Sequence, residues 1–133
     1  MSVRILLVED EPDIRLIARA ALMHAGFEVV TAETGIQALA AAAREHPDLV
    51  LLDWMLPELD GFETCARLKA DPATADLPVV FLTARTSSAD HARCLALGAV
   101  GCITKPFNPL ELGRQVQALW KGPGDRAERD LPR

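Results

Sequence analysis

Five short apolar runs punctuate the chain at intervals of roughly 20 to 30 residues, a spacing that suits repeated strand–helix units. They are Val3–Val8, Phe27–Thr31, Leu49–Leu52, Pro78–Thr83 and Val100–Thr104. Leu49-Val50-Leu51-Leu52 and Val79-Val80-Phe81-Leu82 are apolar at every position instead of alternating. That pattern predicts parallel strands covered by helices on both faces. Between the runs, Thr34-x-x-Gln37, Asp60-x-x-Glu63 and Asn108-Pro109-x-Glu111 read as helix starts, each a capping side chain followed three residues later by an acid or amide. Leu112, Val116 and Leu119 then repeat at helical spacing, as do Ile14, Ile17, Ala21 and Ala25. Each set predicts an apolar stripe facing a sheet. Gly26 and Gly98 follow helical stretches, where a left-handed stop is cheapest for glycine.

Strand followed by helix, five times over, predicts an α/β fold: a doubly wound, five-stranded parallel sheet with five helices and right-handed crossovers. Residues 1–121 are expected to form this one domain. Residues 122–133 are polar and rich in helix breakers, and are expected to be a disordered tail or linker stub.

Composition narrows the class. At 133 residues, half of them apolar, the chain suits one domain with a real core. A net charge of −5 argues against a nucleic-acid backbone as partner. Cys65, Cys94 and Cys102 form no CxxC pair and read as reduced, mostly buried thiols. There is neither a signal peptide nor an apolar run of membrane-spanning length, so a cytoplasmic location is expected.

In open parallel sheets, sites form beyond the carboxyl ends of the strands. The first run ends in Glu9 and Asp10, the third in Asp53, the fourth in Thr83, and the fifth leads to Thr104-Lys105-Pro106. One edge thus gathers three carboxylates, a hydroxyl and an amine. Three converging carboxylates need a cation, and oxygen-only ligands in a partly wet site favour Mg²⁺. Lys105 and Thr83 are surplus to a metal cage and suit phosphoryl oxygens. Together these groups describe phosphoryl transfer onto or off a carboxylate, with Asp53, on the central strand, as candidate nucleophile. Glu11 and Asp13, flanking Pro12, are expected only to begin the first helix.

At this point the chain resembles the CheY-like receiver domain of two-component response regulators, over about residues 3–120. The resemblance rests on Glu9-Asp10, on Asp53 within "LLDWMLPELDG", on Thr83-Ala84 within "VVFLTAR" and on Lys105-Pro106-Phe107 within "ITKPF". It implies a flavodoxin-like strand order, 2-1-3-4-5. It implies that Asp53 accepts a phosphoryl group from a sensor histidine kinase or phosphotransfer protein. By the same resemblance, Asp10, Asp53 and the Met55 backbone carbonyl hold Mg²⁺, with Glu9 acting through water. Thr83, the Ala84 backbone N–H and Lys105 hold the phosphoryl oxygens, and the Lys105–Pro106 peptide is cis. The face of the fourth helix, fifth strand and fifth helix then switches a downstream effector protein, as a monomer or a weak phosphorylation-dependent dimer. Such a domain is not an enzyme beyond self-phosphorylation and slow loss of its phosphoryl group.

Two positions depart from the family pattern. An aromatic residue, often Tyr, usually stands at the output-face switch position in the fifth strand; here it is Cys102, and the chain has no Tyr. That leaves Thr83 displacement alone, or a contribution from Phe107. Val100-Gly101 replaces acids that help DNA-binding relatives of the winged-helix type to dimerise. Two readings of the whole stand side by side: a free-standing receiver that binds a protein partner, and the receiver portion of a DNA-binding transcription regulator. A haloacid-dehalogenase-type phosphatase would want an acid where Met55 stands, and a flavin carrier would want a Ser/Thr/Gly-rich loop where the first acids stand.

Overall fold

The apolar runs become the strands of one parallel sheet. The computed structural model describes residues 3–84 and 88–120; the expected tail, and Arg85 of the "TAR" motif, lie outside them. The elements alternate without exception: β1 (Arg4–Val8), α1 (Pro12–His24), β2 (Glu28–Ala32), α2 (Gly35–Glu45), β3 (Leu49–Asp53), α3 (Gly61–Ala70), β4 (Val79–Thr83), α4 (Ser88–Ala96), β5 (Gly101–Thr104) and α5 (Pro109–Leu119). The sheet order is β2-β1-β3-β4-β5, with every neighbouring pair parallel. The expected doubly wound architecture and strand order are both met.

Every residue of β3 and β4 is buried, as strands covered on both faces must be. Residues alternate between two cores, one on each face of the sheet. Leu6, Val8, Val50, Leu52, Val79 and Phe81 face the core under α2, α3 and α4. Ile5, Leu7, Leu49, Leu51, Val80, Leu82 and Ile103 face the core under α1 and α5.

The helix signals were also met. Thr34 Oγ1 accepts from the Gln37 N–H at 3.1 Å, Asp60 Oδ1 from the Glu63 N–H at 2.9 Å, and Asn108 Oδ1 from the Leu110 N–H at 2.9 Å. Gly26 and Gly98 stand at φ +100° and +89°, past the ends of α1 and α4. One expectation needs correction. The fully buried residues of α1 are Ala18 and Leu22; of the predicted line Ile14, Ile17, Ala21 and Ala25, Ala21 alone packs partly buried against that core. Ala25, at the end of that line, abuts α5, where a Cβ built on Gly113 would meet its Cβ at 2.4 Å, while Ile17 is 47% exposed. Two helices sharing one face of the sheet must also bury surface against each other, and small residues permit that approach.

Candidate functional site

The four carboxyl strand ends converge because β1, β3, β4 and β5 stop in near-register at one edge. Backbone hydrogen bonds tie the ends together: Glu9 N–H donates to Ala32 O at 3.1 Å, Trp54 N–H to Leu82 O at 3.0 Å, and Lys105 N–H to Thr83 O at 2.8 Å. Thr83 pairs with Thr104, which places the Lys105 turn beside the end of β4. The Lys105–Pro106 peptide is cis, as the resemblance implied.

Lys105 reaches back over this edge. Its Nζ lies 2.7 Å from Glu9 Oε1 and 3.1 Å from Asp53 Oδ2. Asp53 Oδ1 accepts from the Met55 N–H at 3.2 Å, and Glu9 Oε2 accepts from the Glu11 N–H at 3.2 Å. One carboxylate oxygen from each of Glu9, Asp10 and Asp53 falls within 4.8 Å of the others, so the group could hold a metal ion. Glu9 is fully buried, Asp53 and Thr83 nearly so, and Asp10 is half-buried. Ala84 and Met55 are exposed on the rim.

The electrostatics follow from this crowding. Burial, then the neighbouring Asp53, push the Glu9 carboxyl up to about 7 against the pull of Lys105. Burial alone would lower the Lys105 amine, but Glu9 and Asp53 outweigh it and hold it above its usual value. Glu9 Oε1 stands within ion-pair distance of Lys105 yet outside hydrogen-bond geometry, a buried oxygen without a hydrogen-bond partner. Such an oxygen is an acceptor left over. An all-oxygen set with a spare buried oxygen and a half-exposed acid fits a hard divalent cation.

All the expected site residues except Cys102 therefore gather at this edge. Cys102 lies one strand position before Ile103, half-buried, and packs against the α2–α4 core. Beside it, a Cβ on Gly101 would meet the Leu119 side-chain tip at 2.7 Å, so α5 closes over this position.

Comparison with known proteins agrees with the geometry. The response regulator receiver domain model matches residues 5–117. The chain belongs to the response regulator receiver family. This receiver is 45% identical over 123 residues to the phosphate regulon transcriptional regulatory protein PhoB of Pseudomonas aeruginosa, covering 91% of the chain and 54% of that protein. It is likewise 45% identical over 120 residues to the response regulator PleD of Caulobacter vibrioides, covering 90% of the chain and 26% of that protein. It thus spans about half the length of one curated relative and about a quarter of the other. The solved chemotaxis response regulator CheY4 of Vibrio cholerae superposes with a TM-score of 0.85 at 32% identity, covering 90% of the receiver and all of CheY4. No described helix of the receiver is long and apolar enough to cross a membrane.

Two features of the site escaped the sequence. Trp54, next to Asp53, is buried edge-on against Phe62 with centroids 4.2 Å apart, and the Arg93 guanidinium lies 3.9 Å over the same Phe62 ring. Arg93, exposed on α4, thus reaches across to Phe62 of α3 by a cation–π contact. The other is Arg15, in the second turn of α1, which bonds the acidic turn itself. A basic residue one turn past a cluster of acids was the signal available for it.

Proposed function

We propose that this receiver takes a phosphoryl group on Asp53 from a phosphohistidine of a sensor kinase or phosphotransfer protein. The observation that carries this reading is Lys105 Nζ lying between the Glu9 and Asp53 carboxylates, at 2.7 and 3.1 Å, on the edge where three acids meet. A structural lysine would need one partner; a lysine over an acid cluster supplies positive charge where anionic oxygens arrive. Asp10, Asp53 and the Met55 carbonyl would hold Mg²⁺ directly and Glu9 through water. When bound, that ion would neutralise charge on the transferring phosphoryl oxygens.

This chain's own residues do the rest. Asp53 attacks phosphorus in line; the P–O bond forms as the P–N bond breaks, and the histidine nitrogen keeps the electron pair. Lys105 and the Thr83 hydroxyl hold equatorial oxygens, with the Ala84 N–H completing the cradle. Beside the acids, Ile14, Ile17, Ala84, Pro106, Phe107 and Pro109 line a largely apolar groove of about 330 Å³. A phosphoryl donor approaching Asp53 would seat against it. The added charge then draws Thr83 and Lys105 inward and biases the α4–β5–α5 face toward a partner-binding state. Catalysis is confined to self-phosphorylation and slow hydrolysis of the acyl phosphate, in a location accessible to cytoplasmic kinases.

The test is direct. Incubation with acetyl phosphate and Mg²⁺ adds one phosphoryl mass to the wild type and none to Asp53→Ala, read by intact-mass spectrometry. An undiminished mass shift in the variant overturns Asp53. A second reading, a receiver belonging to a longer DNA-binding regulator, is favoured by the PhoB likeness covering 54% of that relative. The reading frame of the gene beyond Arg133 decides between the two.

A further inference from the structure

The turn that presents Glu9 and Asp10 carries four acids within five positions, Glu9, Asp10, Glu11 and Asp13, and such a turn tends to splay apart by self-repulsion. Lys105 is directed at the carboxylate of Glu9, not at the turn's backbone. Arg15 is the cation that grips that backbone. Its Nη1 donates to the Glu9 carbonyl oxygen at 3.0 Å and reaches the Asp10 carbonyl at 3.5 Å. Its Nη2 pairs with Glu33 Oε1 at 3.0 Å, and the Arg15 side chain is only 19% exposed. Glu33 directly follows β2, and the Glu9 N–H is already bonded to Ala32 O at the end of that strand. The acidic turn is thus held on its β2 side by a backbone bond and by a guanidinium fork. A cation that binds the turn through carbonyl oxygens leaves the carboxylate oxygens available to a metal, which a cation paired with the carboxylates themselves would not.

We infer that Arg15, fixed by Glu33, is a positioning residue that presets the Glu9–Asp10 turn for metal binding opposite Asp53. The inference rests on the metal site described above. It also makes a prediction whose sign separates it from plain electrostatics. If Arg15 acted only as a nearby positive charge, its removal would relieve repulsion and tighten divalent-cation binding. If it positions the turn, removal lets the acids drift and binding weakens, as loss of an orienting outer residue does at other metal sites, by about 10- to 100-fold. Arginine's fork matters too, because a lysine at this place keeps the charge but can hold the carbonyls only as a point donor.

The experiment is calorimetric titration of Mg²⁺ into the wild type, Arg15→Gln, Arg15→Lys, Glu33→Gln and the Arg15→Gln/Glu33→Gln pair, at one pH and ionic strength. Thermal unfolding in EDTA is followed alongside. Arg15→Gln is expected to weaken Mg²⁺ binding at least about 10-fold. Arg15→Lys should fall between it and the wild type. Glu33→Gln should weaken binding in the wild-type background and change nothing further once Arg15 is gone, because coupled residues are non-additive. A folded Arg15→Gln with unchanged or tighter Mg²⁺ binding overturns the inference, as does a lowered melting temperature with no change in affinity. Should Arg15→Gln fail to fold, Arg15→Lys matching the wild type overturns it equally. A wild type that binds no Mg²⁺ overturns both the inference and the metal reading beneath it.

Discussion

Glu9 is a fully buried carboxyl with a second acid, Asp53, beside it, and the Lys105 amine answers both. Burial first, and Asp53 next, raise its proton affinity to about 7. The sign of the consequence can be worked through. Between the unfolded value of 4.5 and about 7 the folded state binds more protons than the unfolded one. The extra stability this gives is present at low pH and is lost as pH rises through about 7. A metal ion competes with that proton. Apparent Mg²⁺ affinity should therefore climb as pH goes from 6 to 8, and level off above. Titration calorimetry across that range checks it, and Glu9→Gln, which has no proton to lose there, should flatten the profile. A wild-type affinity that does not vary between pH 6 and 8 would show that Glu9 is already ionised when the metal arrives.

At the scale of elements, the site depends on how closely α3 approaches the loop leaving β3. A Cβ on Gly61 would fall 2.5 Å from the Asp53 carbonyl oxygen and 2.8 Å from both Cα and O of Trp54, all of them backbone atoms that cannot turn aside. The Gly61 N–H also donates to Trp54 O at 2.9 Å, so the first turn of α3 is stitched to the segment leaving Asp53. Gly61→Ala is expected to cost about 1–3 kcal/mol in chemical denaturation, the range for overpacking a close contact. It should also weaken Mg²⁺ binding, since the shift lands on Asp53. Asp60→Ala, which removes only the cap to Glu63, should cost about 1 kcal/mol and spare the metal. The sequence made much of this fold legible because caps, glycine stops and uninterrupted apolar strands are local signals. The four-part site was legible too, since a parallel sheet delivers its strand ends to one edge. The α1 stripe was only partly right because helical periodicity finds an apolar line without saying whether a sheet, a neighbouring helix or solvent meets each residue of it. Gly61 and Arg93 were invisible as site neighbours for a related reason: their roles depend on how near α3 and α4 come to the residue after Asp53.

The whole molecule sets two well-filled cores against one crowded edge. The cores on the two faces of the sheet are built almost entirely from buried aliphatic residues, with Trp54, Phe62 and Phe81 clustered at the end nearest the acids. The acids at the strand ends add nothing to that packing, and in a chain of net charge −5 their mutual repulsion works against folding. A cation bound only by the folded state should therefore act as a stabiliser of the entire domain, because unfolding disperses Glu9, Asp10 and Asp53 over 45 positions of chain. At Mg²⁺ about 100 times its dissociation constant the gain should approach 2.7 kcal/mol, and EDTA should abolish it. Asp10→Asn separates the two halves of this argument, since Asp10 is the half-buried member of the trio. Without metal it should unfold at the same temperature as the wild type or higher, one repulsive charge having gone. With metal its melting temperature should rise far less than that of the wild type. Calorimetric melting curves with and without Mg²⁺, at constant ionic strength, measure both. An Asp10→Asn chain that gains as much from Mg²⁺ as the wild type would place the ion away from the edge where the strands end.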